Sequence, residues 1–176
     1  MTISMHADLT GFGVITTKGW VSYAVNSSWK VLSMQTKPPQ TAALYQIPNP
    51  ADETTPDSTN ITIMTFETNS SDATSNFNKY VKNVLSPEKH TKYKEWDFYT
   101  QEGKQGDTDY FIRDAARTVP GAYVVVRLAW PRLKQNPKNY DSDMEATFRS
   151  VLDSVEGGIG QMPKKEGAVI RNPNNQ

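Results

Sequence analysis

The chain has 176 residues, with 19 Lys+Arg against 19 Asp+Glu, no cysteine, and 36% hydrophobic and 10% aromatic residues. That length suffices for one sizeable core, and the zero formal charge argues against a general binder of nucleic acid or anionic membrane. The absence of thiols excludes disulfides, zinc–thiolate sites and cysteine nucleophiles.

In chain order, residues 1–11 read as a flexible N-terminal segment and 12–15 as a short strand. The first residues lack the basic-then-apolar order of a signal peptide, and no stretch approaches the roughly 20 apolar residues of a membrane span. Two locations follow: the cytoplasm, or the periplasm or envelope for a chain whose leader was removed. The Asn-, Ser- and Thr-rich composition favours the second.

Gly19 leads into an alternating run in which Val21, Tyr23 and Val25 are set against Ser22 and Ala24. Asn26-Ser27-Ser28 is turn chemistry and residues 29–35 alternate again, so the two runs predict a hairpin. Lys37-Pro38-Pro39 breaks it, residues 42–47 form another strand, and the proline- and acid-bearing stretch 50–59 is a loop. Within 60–67, Ile61, Ile63 and Thr65 oppose Met64 and Phe66. Ser71 and Asp72 offer an N-cap to a helix with Ala73, Phe77, Tyr80, Val81, Val84 and Leu85 on one face, ended by Pro87.

Residues 94–101 alternate, 102–107 form a turn or longer exposed loop, and 109–115 make the next strand. Residues 123–130 are the most apolar run, preceded by Gly121 and followed by Pro131, and predict a strand buried on both faces. Met144, Phe148, Val151, Leu152 and Val155 then form one helical stripe. Ser142 with Glu145 makes a capping box, and Gly157-Gly158 the stop. Residues 159–176 read as a weakly structured tail. The sum is a single α+β domain over 12–158, a mostly antiparallel sheet of about six to seven strands sandwiched with two main helices.

Four segments carry a family resemblance. Residues 21–31, VSYAVNSSWKV, are similar to the opening hairpin of PsbP-like domains, with Asn26-Ser27 where those domains have a proline-containing turn. Residues 60–63, NITI, resemble their strand before the first helix, 121–125, GAYVV, their late strand, and 144–155 their closing helix. The resemblance spans 19–157 and implies a non-enzymatic fold group. Its members include photosystem-associated proteins, Ran-binding proteins of the Mog type and envelope lipoproteins similar to DcrB. Their partners differ, so the resemblance implies a fold and no particular partner.

Candidate chemistry is sparse. The two histidines, His6 and His90, lie 84 positions apart, and no metal or cofactor site is expected of them. A serine–histidine–acid triad would lack a G-x-S-x-G elbow. Asp141-x-Asp143-x-Glu145 looks like a calcium loop but has Ala146 and Leu152 where that loop needs glycine and glutamate, so the acids read as helix-start residues. Gly157-Gly158-x-Gly160 follows a helix, the wrong polarity for a phosphate loop.

Asp107, Asp109 and Asp114, beside Arg113 and Arg117, form the densest mixed-charge segment. Acid–base work there would need a carboxyl buried beside an apolar wall, and cross-strand ion pairing is the preferred reading. Asp52, Glu53 and Asp57 make an acidic, proline-stiffened loop. Trp130-Pro131-Arg132, preceded by Arg127, combines residue types typical of binding hot spots. Trp130 capping the core under the last helix is the preferred reading of that residue. Together these features predict a non-catalytic binding or accessory protein, envelope-associated, meeting a protein partner through the loops 48–60 and 130–140. The alternatives are an immunity or inhibitor protein using the acidic loop, and a hydrolase using the aspartates near 107–114.

Overall fold

The central valine run sets the architecture. The computed structural model describes residues 9–48, 58–85, 90–163 and 170–171, and these form eleven strands and two helices. The first half contains β1 (Leu9–Ile15), β2 (Gly19–Asn26), β3 (Lys30–Gln35), β4 (Gln40–Ile47), β5 (Thr59–Glu67) and α1 (Ser71–Asn83). The second contains β6 (His90–Tyr93), β7 (Trp96–Gln105), β8 (Thr108–Val119), β9 (Ala122–Pro131), α2 (Tyr140–Ser154), β10 (Glu156–Ile159) and β11 (Ile170–Arg171).

Seven strands make one antiparallel sheet in the order β3-β4-β5-β9-β8-β7-β6. The apolar run is β9, the middle strand, with Val124, Val125, Val126 and Leu128 all 0% exposed. Gly121 turns the chain into it at φ +85, a conformation that disfavours any side chain. A second sheet of four strands, β10-β2-β1-β11, packs over the large one.

The two faces of the large sheet bury different cores. On one, Tyr45, Ile61, Ile63, Val124, Val126 and Leu128 pack against Val21 and Tyr23 of the small sheet and Phe148 and Leu152 of α2. On the other, Phe66, Val125, Ala116 and Tyr99 meet Ala73 and Phe77 of α1. The α2 stripe is as the spacing predicts, with Met144, Phe148, Val151 and Leu152 buried.

Several local expectations are corrected. Residues 20–35 do not form a hairpin: β2 pairs with β1 and β10, whereas β3 pairs with β4 in the other sheet. The Asn26 carboxamide accepts from the Ser28 N–H at 2.9 Å, and this Asx turn carries the chain between sheets. β7 continues to Gln105 through residues assigned to a loop, paired rung for rung with β8. The helix-start cap is Ser70, whose Oγ accepts from the Ala73 N–H at 3.2 Å.

The Ser142–Glu145 capping box does not form, because the N-cap of α2 is Asn139, three residues earlier, Ser142 donates to the Asn139 carbonyl and Glu145 is taken by Arg113. Gly157 and Gly158 are not a helix stop; Val155 ends α2 in extended conformation and both glycines lie in β10. A Cβ at Gly158 would sit 2.8 Å from the Trp20 indole and one at Gly157 2.6 Å from Val119 Cγ2. Close packing, and not a turn, requires glycine there. β1 opens at Leu9, inside the segment read as flexible, and residues 170–171 of the expected tail pair with β1.

Candidate functional site

Strand register decides which loops are neighbours. Ile47 pairs with Thr59, Asn60 with Ala129, and Tyr110 with Pro131. The connection between β4 and β5 and the one after β9 therefore lie at the same end of the sheet, where β5 and β9 are neighbours. Thr59 is fully buried and its hydroxyl hydrogen-bonds the Tyr140 hydroxyl at 2.5 Å. This bond ties the end of one expected contact loop to the end of the other. Burial raises the Tyr140 pKa, against the lowering effect of the Thr59 hydrogen bond.

Trp130 is 1% exposed, so its ring belongs to the core and is not a surface anchor. Its indole N–H donates to Asp141 Oδ1 at 2.8 Å, which satisfies the one polar group of the ring and pins the first turn of α2. Around it the cations and rings interleave. Arg132 lies over the Phe111 ring at 4.3 Å, and Phe111 packs on Trp130 at 5.4 Å. Arg113 sits over Trp130 at 5.2 Å while its Nε pairs with Glu145 at 2.7 Å. Of this chain of contacts only Arg132 presents its head to solvent, paired loosely with Glu102 at 3.3 Å.

Arg127 is not part of that group. It lies on the α1 face of β9, opposite to Trp130, three positions along an alternating strand. Its Nε lies 3.1 Å from Asp114 Oδ1, too poorly aligned for a good hydrogen bond, so the pair is chiefly coulombic. Asp114 is fully buried, and its other oxygen accepts from Gln101 Nε2 at 2.8 Å. Burial pushes its carboxyl up to about 6, against the opposing pull of Arg127, Gln101 and Tyr80.

The remaining candidates scatter. Asp109 and Asp114 are five residues apart on an unbroken strand, about 17 Å by strand rise, and face opposite sides. Asp107 lies in the turn before β8. Asp52, Glu53, Asp57 and His6 lie outside the described residues. His90 pairs with Asp97 at 2.8 Å on β6 and β7. Among the described residues no group of three or more His, Cys, Asp or Glu side chains is placed to hold a metal ion. A shallow open groove along α1, lined by Thr68, Asn69, Thr74, Asn78, Lys79 and Lys82, starts at the end of the sheet opposite to the two loops.

Sequence reasoning did not find the Thr59–Tyr140 link, which has no spacing signal, and it expected cross-strand ion pairing around Asp114 without identifying Arg127 as the partner. Asp114 alone left a trace, a carboxylate immediately before Ala115-Ala116 in a strand otherwise buried at that point.

No family model and no curated protein matches the sequence. Among solved structures, a protein from Bacteroides thetaiotaomicron superposes with a TM-score of 0.51 at 16% identity, covering 84% of this chain and 46% of that one. This chain therefore spans about half of that neighbour. LpqN of Mycobacterium tuberculosis, described as involved in cell envelope biogenesis, gives a TM-score of 0.43 at 12% identity, covering 89% of this chain and 97% of LpqN. The first is a distant fold relative, and neither is named as PsbP- or DcrB-like. Among the described residues no helix is long and apolar enough to cross a membrane.

Proposed function

We propose that this chain is a non-catalytic binding protein that meets a protein partner with the end of its large sheet where residues 48–60 and 130–140 emerge. The observation that carries this reading is the buried Thr59–Tyr140 hydrogen bond, which holds the ends of both loops together on β5 and α2. Loops fixed on neighbouring central strands lose less conformational entropy when they engage a partner. Arg132, half exposed and stacked on Phe111, is the contact residue at this end among the described ones. An envelope location belongs to the same reading and rests on the Asn-, Ser- and Thr-rich composition.

The test is capture from native lysate with the wild-type chain and with residues 49–57 replaced by a short glycine–serine linker. A stoichiometric partner held by the first and lost from the second, with unchanged melting curves, is the expected result. A partner retained by both would move the contact surface elsewhere, and loss accompanied by a large fall in stability would make the loop structural.

A further inference from the structure

Beyond the loop end, the first strand of the large sheet is an open seam. Among the described residues β3 is an edge strand, and its Val31 and Leu32 are 47% and 44% exposed, two large apolar side chains side by side at the rim. An uncovered strand edge with apolar side chains is a template for another strand. What singles out the occupant is a bulge. Val31 pairs with Tyr45 and Ser33 with Leu44, so Leu32 is an extra residue in the ladder.

The bulge changes the side-chain pattern of the strand. Val31 opposite Tyr45 and Met34 opposite Ala43 both lie on the principal-core face, although they are three positions apart. Lys30 opposite Gln46 and Gln35 opposite Ala42 share the other face. Without the bulge, residues three apart would point to opposite faces.

We infer that β3 pairs with β3 of a second copy of this chain, antiparallel about a two-fold axis between Leu32 and Ser33, joining two seven-stranded sheets edge to edge. In that register Val31 meets Met34 of the second copy and Lys30 meets Gln35 of the second copy. Directly opposed residues then share a face, as an antiparallel pair requires. Val31 meets an apolar partner, Leu32 lies beside the axis across from Ser33 of the second copy, and each cation meets a neutral amide and stays clear of its own symmetry mate. Shifting the register by one residue would set Val31 against Ser33 or Gln35, on opposing faces. A six-residue seam buries less than the roughly 1,200 Å² of a standard interface, so the association belongs with the weak, reversible ones.

Sedimentation velocity over a concentration series tests this, comparing the wild-type chain with Val31→Lys and Leu32→Lys. Both substitutions are at exposed positions and leave the core intact. The wild type is expected to pass from monomer to dimer, and each lysine variant to weaken dimerisation about tenfold or more, because a charge replaces an apolar side chain at the seam and has no carboxylate opposite it. Because the chain has no cysteine, Val31→Cys and Met34→Cys can be mixed and oxidised to read the register. Disulfide between the two variants, in preference to either with itself, is expected. A wild type that stays monomeric at all concentrations, or a dimer that the lysines leave untouched, overturns the proposal; so does preferential linkage of the Val31→Cys variant with itself. Partner capture through the loop end should be unaffected by the lysine variants, which separates failure of this inference from failure of the binding reading.

Discussion

The two edges of the large sheet are built differently. β6 is four residues long, His90–Tyr93, and its outer side chains are charged and tied down. Lys92 and His90 both bind the Asp97 carboxylate, and Lys94 and Tyr93 bind Asp153 of α2 at 2.8 and 3.0 Å. Short length and lysines are the means by which proteins keep a strand edge from pairing. β3 is longer, has one cation at its end and shows Val31 and Leu32 to solvent. One edge of a continuous sheet is closed by its side chains and the other is left open, so the openness of β3 is a property of that strand and not of the sheet.

The largest effect breaks the comparison altogether, because both edges hang on β9. Trp130→Ala removes the ring that joins β9, Phe111 and α2, and with it the indole donor to the exposed Asp141 carboxylate. We expect a loss of about 3–5 kcal/mol, read from chemical denaturation. A loss under about 1 kcal/mol would mean that the ring is not a core element.

The next effect lies between the edges and separates them by pH. The Asp114 pKa is raised from 3.8 to about 6, so between those values the folded protein holds a proton that the unfolded chain has released. Stability from this group is therefore present at acidic pH and lost as pH rises through about 6, by no more than about 3 kcal/mol. The melting temperature of wild type relative to Asp114→Asn should rise on going from pH 7 to pH 5. A difference independent of pH would contradict this.

Asp97 has the opposite sign. Burial alone would raise its pKa, but hydrogen bonds from Lys92 and His90 hold it below the ordinary 3.8. Its contribution is present above that value and is lost as pH falls through the lowered one. Asp97→Asn should cost less than about 1 kcal/mol at pH 7, since the pair is exposed, and the gap between variant and wild type should close in acid. The β3 strand contains no carboxylate and should show no such transition. The smallest effect on stability is that of Lys92→Val, which takes a lysine off the closed edge. The melting curve should barely move, while the sedimentation profile should show new association through β6. Failure to associate would assign the protection of β6 to its length alone.

What the sequence made legible follows the physics of each signal. The valine run of β9 and the α2 stripe were readable because burial on two faces, or on one helical face, leaves a periodic apolar record. Pairing was not, because alternation in residues 20–35 specifies which side chains face inward and says nothing of which strand lies alongside. β2 and β3 thus looked like a hairpin and belong to different sheets. β6 and the far half of β7 were missed for another reason: HTKY and EGKQ are polar on both sides, so strands there leave no apolar trace. At the candidate site, Trp130 carried the signal of a hot spot beside that of a core ring, which was the preferred reading, and its 1% exposure places it in the core. Thr59 and Tyr140 are 81 positions apart, and nothing local announces their bond.

Amide hydrogen exchange of the wild-type chain at low and high protein concentration tests the contrast between the two edges most directly. Protection of residues 30–35 should increase with concentration while that of residues 90–93 stays constant. Exchange at 30–35 that is indifferent to concentration, or an equal gain at both edges, would contradict the account.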